Sequence, residues 1–132
     1  MLNFTSLEKA LNSLERAIER SRKVPEDEEI RDSVIQRFEY CYELAWKMLK
    51  RQLKTVSQTP ASIETMDFKE MIREGAERGL IDNPEAWFEY RRQRNITSHA
   101  YNETKAISVY GTALNFFKDA KSLLSNLQRK NS

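Results

Sequence analysis

The segment from Ile30 to Leu53 constrains the fold more than any other part of this sequence. Its apolar residues fall on two adjoining stripes, Ile30, Val34, Phe38, Cys41, Ala45 and Met48, then Ile35, Tyr42, Trp46, Leu49 and Leu53. Spacings of three and four are those of one helix, and a helix of this length spans roughly 36 Å. So broad an apolar face needs more than one neighbour. The segment is therefore expected either at the centre of a helical bundle or carrying a second, intermolecular interface. The acidic run Glu26-Asp27-Glu28-Glu29 before it suits the positive end of a helix dipole.

The flanking sequence supplies the other helices. Leu7, Leu11, Leu14 and Ile18 form one stripe that fades at Arg22-Lys23-Val24-Pro25, and Thr5 with Glu8 three residues later reads as a capping box starting a helix near Ser6. Thr55 to Ser62, polar and containing Pro60, reads as a loop. A shorter helix is expected over Asp67 to Arg78, with Gly79 as its left-handed cap. Pro84 is placed to open the next, which runs through Trp87, Phe88 and Tyr90 and ends between Ile96 and His99. The last begins after Asn102 and continues to about Gln128, with Gly111 inside it as a possible point of close backbone approach. No segment alternates with period two. The expectation is an all-α, up-and-down bundle of four to five helices, with residues 1–132 forming a single domain.

Composition excludes several functional classes. Twenty-two basic and 20 acidic residues leave a net charge of +2, so any anionic ligand is recognised by a local patch and not by an overall field. One cysteine and one histidine offer no evident metal shell, and the three glycines, Gly75, Gly79 and Gly111, form no phosphate loop. No metal or other cofactor is expected. Cys41 lies in an apolar helical pattern and reads as a core residue. No run approaches the roughly 18 apolar residues of a membrane span, and the N-terminus lacks a basic region followed by an apolar core. With the unpaired cysteine, this gives a cytoplasmic expectation.

Polar chemistry concentrates in Arg94-Asn95-Ile96-Thr97-Ser98-His99-Ala100-Tyr101, just after Arg91 and Arg92. A histidine exchanges protons near neutral pH, and an arginine presents a fixed positive fork to phosphate oxygens. Together they suit metal-free RNA cleavage, in which a base takes the 2′-hydroxyl proton while a cation steadies the crowded phosphate. The spacing opposes them: five residues apart on one helix they would lie about 140° from one another. Convergence on one phosphate needs the helix to end between them, or a second subunit to complete the cleft. The bland alternatives are a capping or surface histidine, and arginines paired with Glu85, Glu89 and other carboxylates. Ser98 beside His99 is a poor hydrolase signal, because adjacent residues do not face each other. Glu43 interrupts the apolar face of the long helix, either as a solvated edge or as a partner for the Arg94 region.

Arg94, four residues, His99, one residue and Tyr101 resemble the Arg-x4-His-x-Tyr motif of HEPN-domain proteins of the HepT type. Phe38 through Lys47, Gly79-Leu80-Ile81-Asp82 and Trp87 resemble, in the same order, the branch called nucleotidyltransferase substrate-binding proteins. The resemblance implies a helical bundle that forms a homodimer, and a partner that is a small nucleotidyltransferase. It also implies one of two functions. In the first, the chain is the ribonuclease toxin of a toxin–antitoxin pair: Arg94 and His99 are catalytic, and Tyr101 accepts AMP from the nucleotidyltransferase antitoxin. Asn95, Ser98, Glu43 and Arg91 are then the supporting or RNA- and nucleotide-binding candidates. In the second, the chain is a non-catalytic subunit that presents substrate to the nucleotidyltransferase.

Overall fold

A computed structural model describes residues 2–99 and 102–132, with the helix path alone at 97–99. Six helices lie among the described residues: α1 Thr5–Lys23, α2 Glu28–Val56, α3 Pro60–Thr65, α4 Phe68–Glu77, α5 Pro84–His99 and α6 Glu103–Lys130. The all-α bundle stands, with one more helix than expected. The difference lies in the segment read as a loop: α2 runs on to Val56, and Pro60 opens the short α3, where its missing N–H costs nothing.

Side-chain bonds fix the directions of the long helices. Ser21 meets Tyr110 while Glu8 accepts from Gln128, so α1 and α6 are antiparallel. Arg31 reaches Glu103 at one end and Gln52 accepts from Asn131 at the other, so α2 and α6 run parallel. Tyr90 donates to Asp119 and Gln93 to Ser108, which makes α5 antiparallel to α6. The four long helices thus form an up-and-down bundle, with α3 and α4 filling the connection between α2 and α5.

The breadth of α2 is used within the chain. It packs on α1, α6, α3 and α4, burying Val34, Ile35, Phe38, Cys41, Tyr42, Ala45, Met48, Leu49 and Leu53. The intermolecular alternative is not needed to account for these residues. Phe116 of α6 sits at the centre, fully buried, with the rings of Phe38, Trp87 and Tyr90 edge-on at 5.1, 5.7 and 5.4 Å. Edge-to-face contacts of this kind add to the stabilisation from burial. Cys41 is fully buried, and burial pushes its thiol up to about 12, with Arg37 opposing. It is an inert core thiol.

Local signals mostly hold, with two corrections. Asp27, Asp67 and Asn102 cap α2, α4 and α6, each side chain accepting backbone N–H bonds of the first turn. Gly79, at φ +76°, ends α4, and the bonds from the Leu80 N–H to the Gly75 carbonyl and from the Gly79 N–H to the Ala76 carbonyl complete a Schellman turn. The Thr5–Glu8 capping box does not form. Thr5 is already helical, its N–H donates to Asn3 Oδ1, and Glu8 is engaged by Gln128 of α6 instead. Gly111 borders open space and permits no close approach; the close approach is at Gly75, where a Cβ would come within 2.9 Å of Ile81 and 3.2 Å of Leu49.

Candidate functional site

Two neighbouring faces of α5 carry different chemistry. One face is held in the core: Trp87 and Tyr90 are buried against Phe116, and the Tyr90 hydroxyl donates to Asp119 of α6. Both residues are packing residues. The loop before α5 is tied down as well, since Asn126 donates to the Leu80 carbonyl and to Asp82. These contacts fix the rotation of α5 about its axis. They leave Arg91, Arg94 and Asn95 turned toward α2 and the start of α4.

There they line a cleft of about 400 Å³ together with Tyr42, Glu43, Trp46, Met66, Asp67 and Phe68. Arg94 Nη2 lies 2.6 Å from Glu43 Oε1, both side chains being just over a third exposed. Of the two readings of Glu43, the structure gives the partner of Arg94. At this exposure the pair is worth at most about 1 kcal/mol to stability, so its effect is to hold the guanidinium in place. Arg91 stacks on the Phe68 ring at 4.6 Å. Arg92 turns away and forms a two-pronged pair with Glu89, whose carboxyl is held below the usual range by that guanidinium and by Gln93. Pairing with a carboxylate, the bland reading of the arginines, thus holds for Arg92 and also for Arg94, but Arg94 and Arg91 line the cleft while Arg92 does not. The Tyr42 phenol, at the cleft floor, is raised well above its ordinary 10.0 by burial, with Arg91 opposing.

Of the residues singled out by sequence, the fold brings together Glu43, Arg91, Arg94 and Asn95. Position 98 continues their stripe one turn beyond Arg94, but the Ser98 and His99 side chains, and Tyr101, lie outside the described residues. The helix α5 runs through His99, at the far limit of the range expected for its end. On one continuous helix the two positions are about 140° apart. The lining residues missed by sequence reasoning are Trp46, Tyr42, Met66, Asp67 and Phe68. Tyr42 and Trp46, one turn apart and flanking Glu43, were a readable hint for the first of these.

The family model described as nucleotidyltransferase substrate binding protein like matches residues 2–129. The chain belongs to that family. A Haemophilus influenzae protein named "Probable ribonuclease HepT" is 41% identical over 97 residues, covering 74% of this chain and 66% of that protein's length. A solved Haemophilus influenzae structure, described as revealing the fold of a substrate binding domain of a nucleotidyltransferase, superposes with a TM-score of 0.89 at 34% identity, covering 96% of this chain and 99% of the other. A Thermus thermophilus structure gives 0.74 at 29% identity over 92% of this chain and 98% of the other. Among the described residues, no helix is long and apolar enough to cross a membrane.

Proposed function

We propose that this protein is a metal-independent RNA endonuclease, the toxin of a toxin–antitoxin pair whose antitoxin is a minimal nucleotidyltransferase. The observation that carries the reading is the Glu43–Arg94 pair set in a cleft with Arg91 and Asn95. An arginine held from behind by a carboxylate meets a phosphate without having to reorganise, which is how charge developing in a transition state is stabilised most effectively. His99 takes the 2′-hydroxyl proton, the 2′-oxygen attacks phosphorus, and the P–O5′ bond breaks. The departing 5′-oxygen takes a proton from the imidazolium, leaving a 2′,3′-cyclic phosphate and a 5′-hydroxyl. Asn95, one turn before His99, orients the histidine or a phosphate oxygen. Ser98 extends the same face.

Because positions 94 and 99 diverge on α5, one subunit's Arg94 works with its partner's complement across a homodimer cleft. Tyr101 is the regulatory residue: the nucleotidyltransferase transfers AMP from ATP to its phenol, releasing pyrophosphate. The test is to express the wild type and His99→Ala without any nucleotidyltransferase. Growth arrest and RNA degradation with the wild type, both lost in His99→Ala, are expected; a wild type that harms neither cells nor RNA overturns the toxin reading.

A second reading is favoured by the family description and by the presence of a defined cleft. The chain would then be a non-catalytic subunit presenting a nucleotide substrate to the nucleotidyltransferase. It predicts a stable complex with that enzyme and nucleotide binding that survives His99→Ala.

A further inference from the structure

The polar half of the cleft is accounted for by the reading above; its aromatic half is not. Trp46 lines the cleft only half-buried, in contrast to Trp87, which is 2% exposed in the core. Behind Trp46 lies Phe68, ring centroids 4.9 Å apart, and Phe68 is pinned in turn by the Arg91 guanidinium at 4.6 Å. Trp46 is therefore a braced aromatic surface on an open cavity, beside a cation. Met66 adds a deformable apolar edge. Asp67 caps α4 through Oδ1, which accepts the Glu70 N–H at 2.8 Å, and among the described residues its other oxygen has no hydrogen-bond partner. A volume of about 400 Å³ falls in the range of small-ligand sites.

We propose that Trp46, Met66, Asp67 and Phe68 form a subsite for one unpaired RNA base, adjoining the phosphate position at Arg94. The base stacks on Trp46, and the second Asp67 oxygen accepts a hydrogen bond from an exocyclic amino group. The Arg91 guanidinium, delocalised and weakly hydrated, borders the base and the neighbouring backbone. A base within a duplex cannot reach such a surface, so the subsite selects single-stranded segments. The subsite rests on the ribonuclease reading for its biological role, but its binding chemistry can be tested without cleavage.

The probe is a fluorescein-labelled tetranucleotide of 2′-O-methyl adenosine, which has no 2′-hydroxyl to attack, compared with an abasic oligomer of the same length and charge. Binding to the full chain is followed by anisotropy and by quenching of Trp46; the only other tryptophan, Trp87, is buried. Base–aromatic stacking predicts that the base-containing oligomer binds about 5- to 150-fold more tightly and quenches Trp46. Trp46→Phe should keep that preference, whereas Trp46→Leu should lose most of it, and Asp67→Asn should weaken adenine more than uracil. Equal affinity for the abasic oligomer, or no binding of either, overturns the subsite, and the wild-type comparison requires no variant to fold. Cleavage of unmodified RNA is scored separately. A protein that discriminates the base and does not cut retains the subsite and loses the ribonuclease; one that cuts without discriminating does the reverse.

Discussion

The two faces of α5 lie side by side on one helix, and opposite physics holds them in place. Toward α6, Trp87 and Tyr90 are buried among aromatic rings, where removal of apolar surface from water stabilises the fold. Toward α2, Arg91, Arg94 and Asn95 border a cleft, and the Glu43–Arg94 pair contributes little to stability because water screens it. Gln93 sits on the buried side between them, its amide shared by Glu89 and Ser108 and its Oε1 without a partner among the described residues. The contrast shows a division of labour: the apolar face fixes the helix rotation, and that rotation aims the charged face. Residues with large effects on folding and residues with large effects on chemistry should therefore separate cleanly.

The largest effect on stability is expected at the centre of the apolar face. Phe116→Ala removes a fully buried ring packed against the rings of Phe38, Tyr42, Trp87 and Tyr90 and should cost about 3–5 kcal/mol, read from the urea midpoint. Tyr90→Phe comes next. Losing a buried hydroxyl bonded to the Asp119 carboxylate should cost about 1.5–3 kcal/mol. The same residue gives a pH signature. Burial first, then Asp119, raises the Tyr90 phenol above its ordinary 10.0, and burial raises Tyr42 likewise. A group whose folded pKa is raised stabilises the protein fully below its unfolded pKa. Stability should thus fall as pH climbs through about 10, and Tyr90→Phe should flatten that decline. The smallest effect on folding is expected on the charged face: Arg94→Ala should move stability by no more than about 1 kcal/mol. A loss comparable to that of Phe116→Ala would erase the distinction between the faces.

How much of this was legible in the sequence depended on how local each determinant is. Gly79 and Pro84 act on backbone groups within a turn of themselves, so their roles could be read directly. The Thr5–Glu8 box has the same local form, yet it lost Glu8 to Gln128 at the far end of the chain. Pro60 illustrates a residue type equally suited to a loop and to a first helical turn. Within the cleft, Arg94 and Glu43 each stood out as polar residues in unusual company, but the sequence offered two readings of Glu43, and only packing chose between them. Trp46 was hidden for a different reason. Its spacing places it on the apolar stripe of α2 with Leu49 and Leu53, and periodicity does not distinguish a stripe that ends in the core from one that opens into a cleft.

Metal-free RNA cleavage at the Arg94 face is measured by incubating a labelled single-stranded RNA with purified protein in EDTA. The wild type should cleave, and a folded Arg94→Ala should do so about 10²–10³-fold more slowly. No cleavage by the wild type, or equal rates for the two proteins, would contradict it.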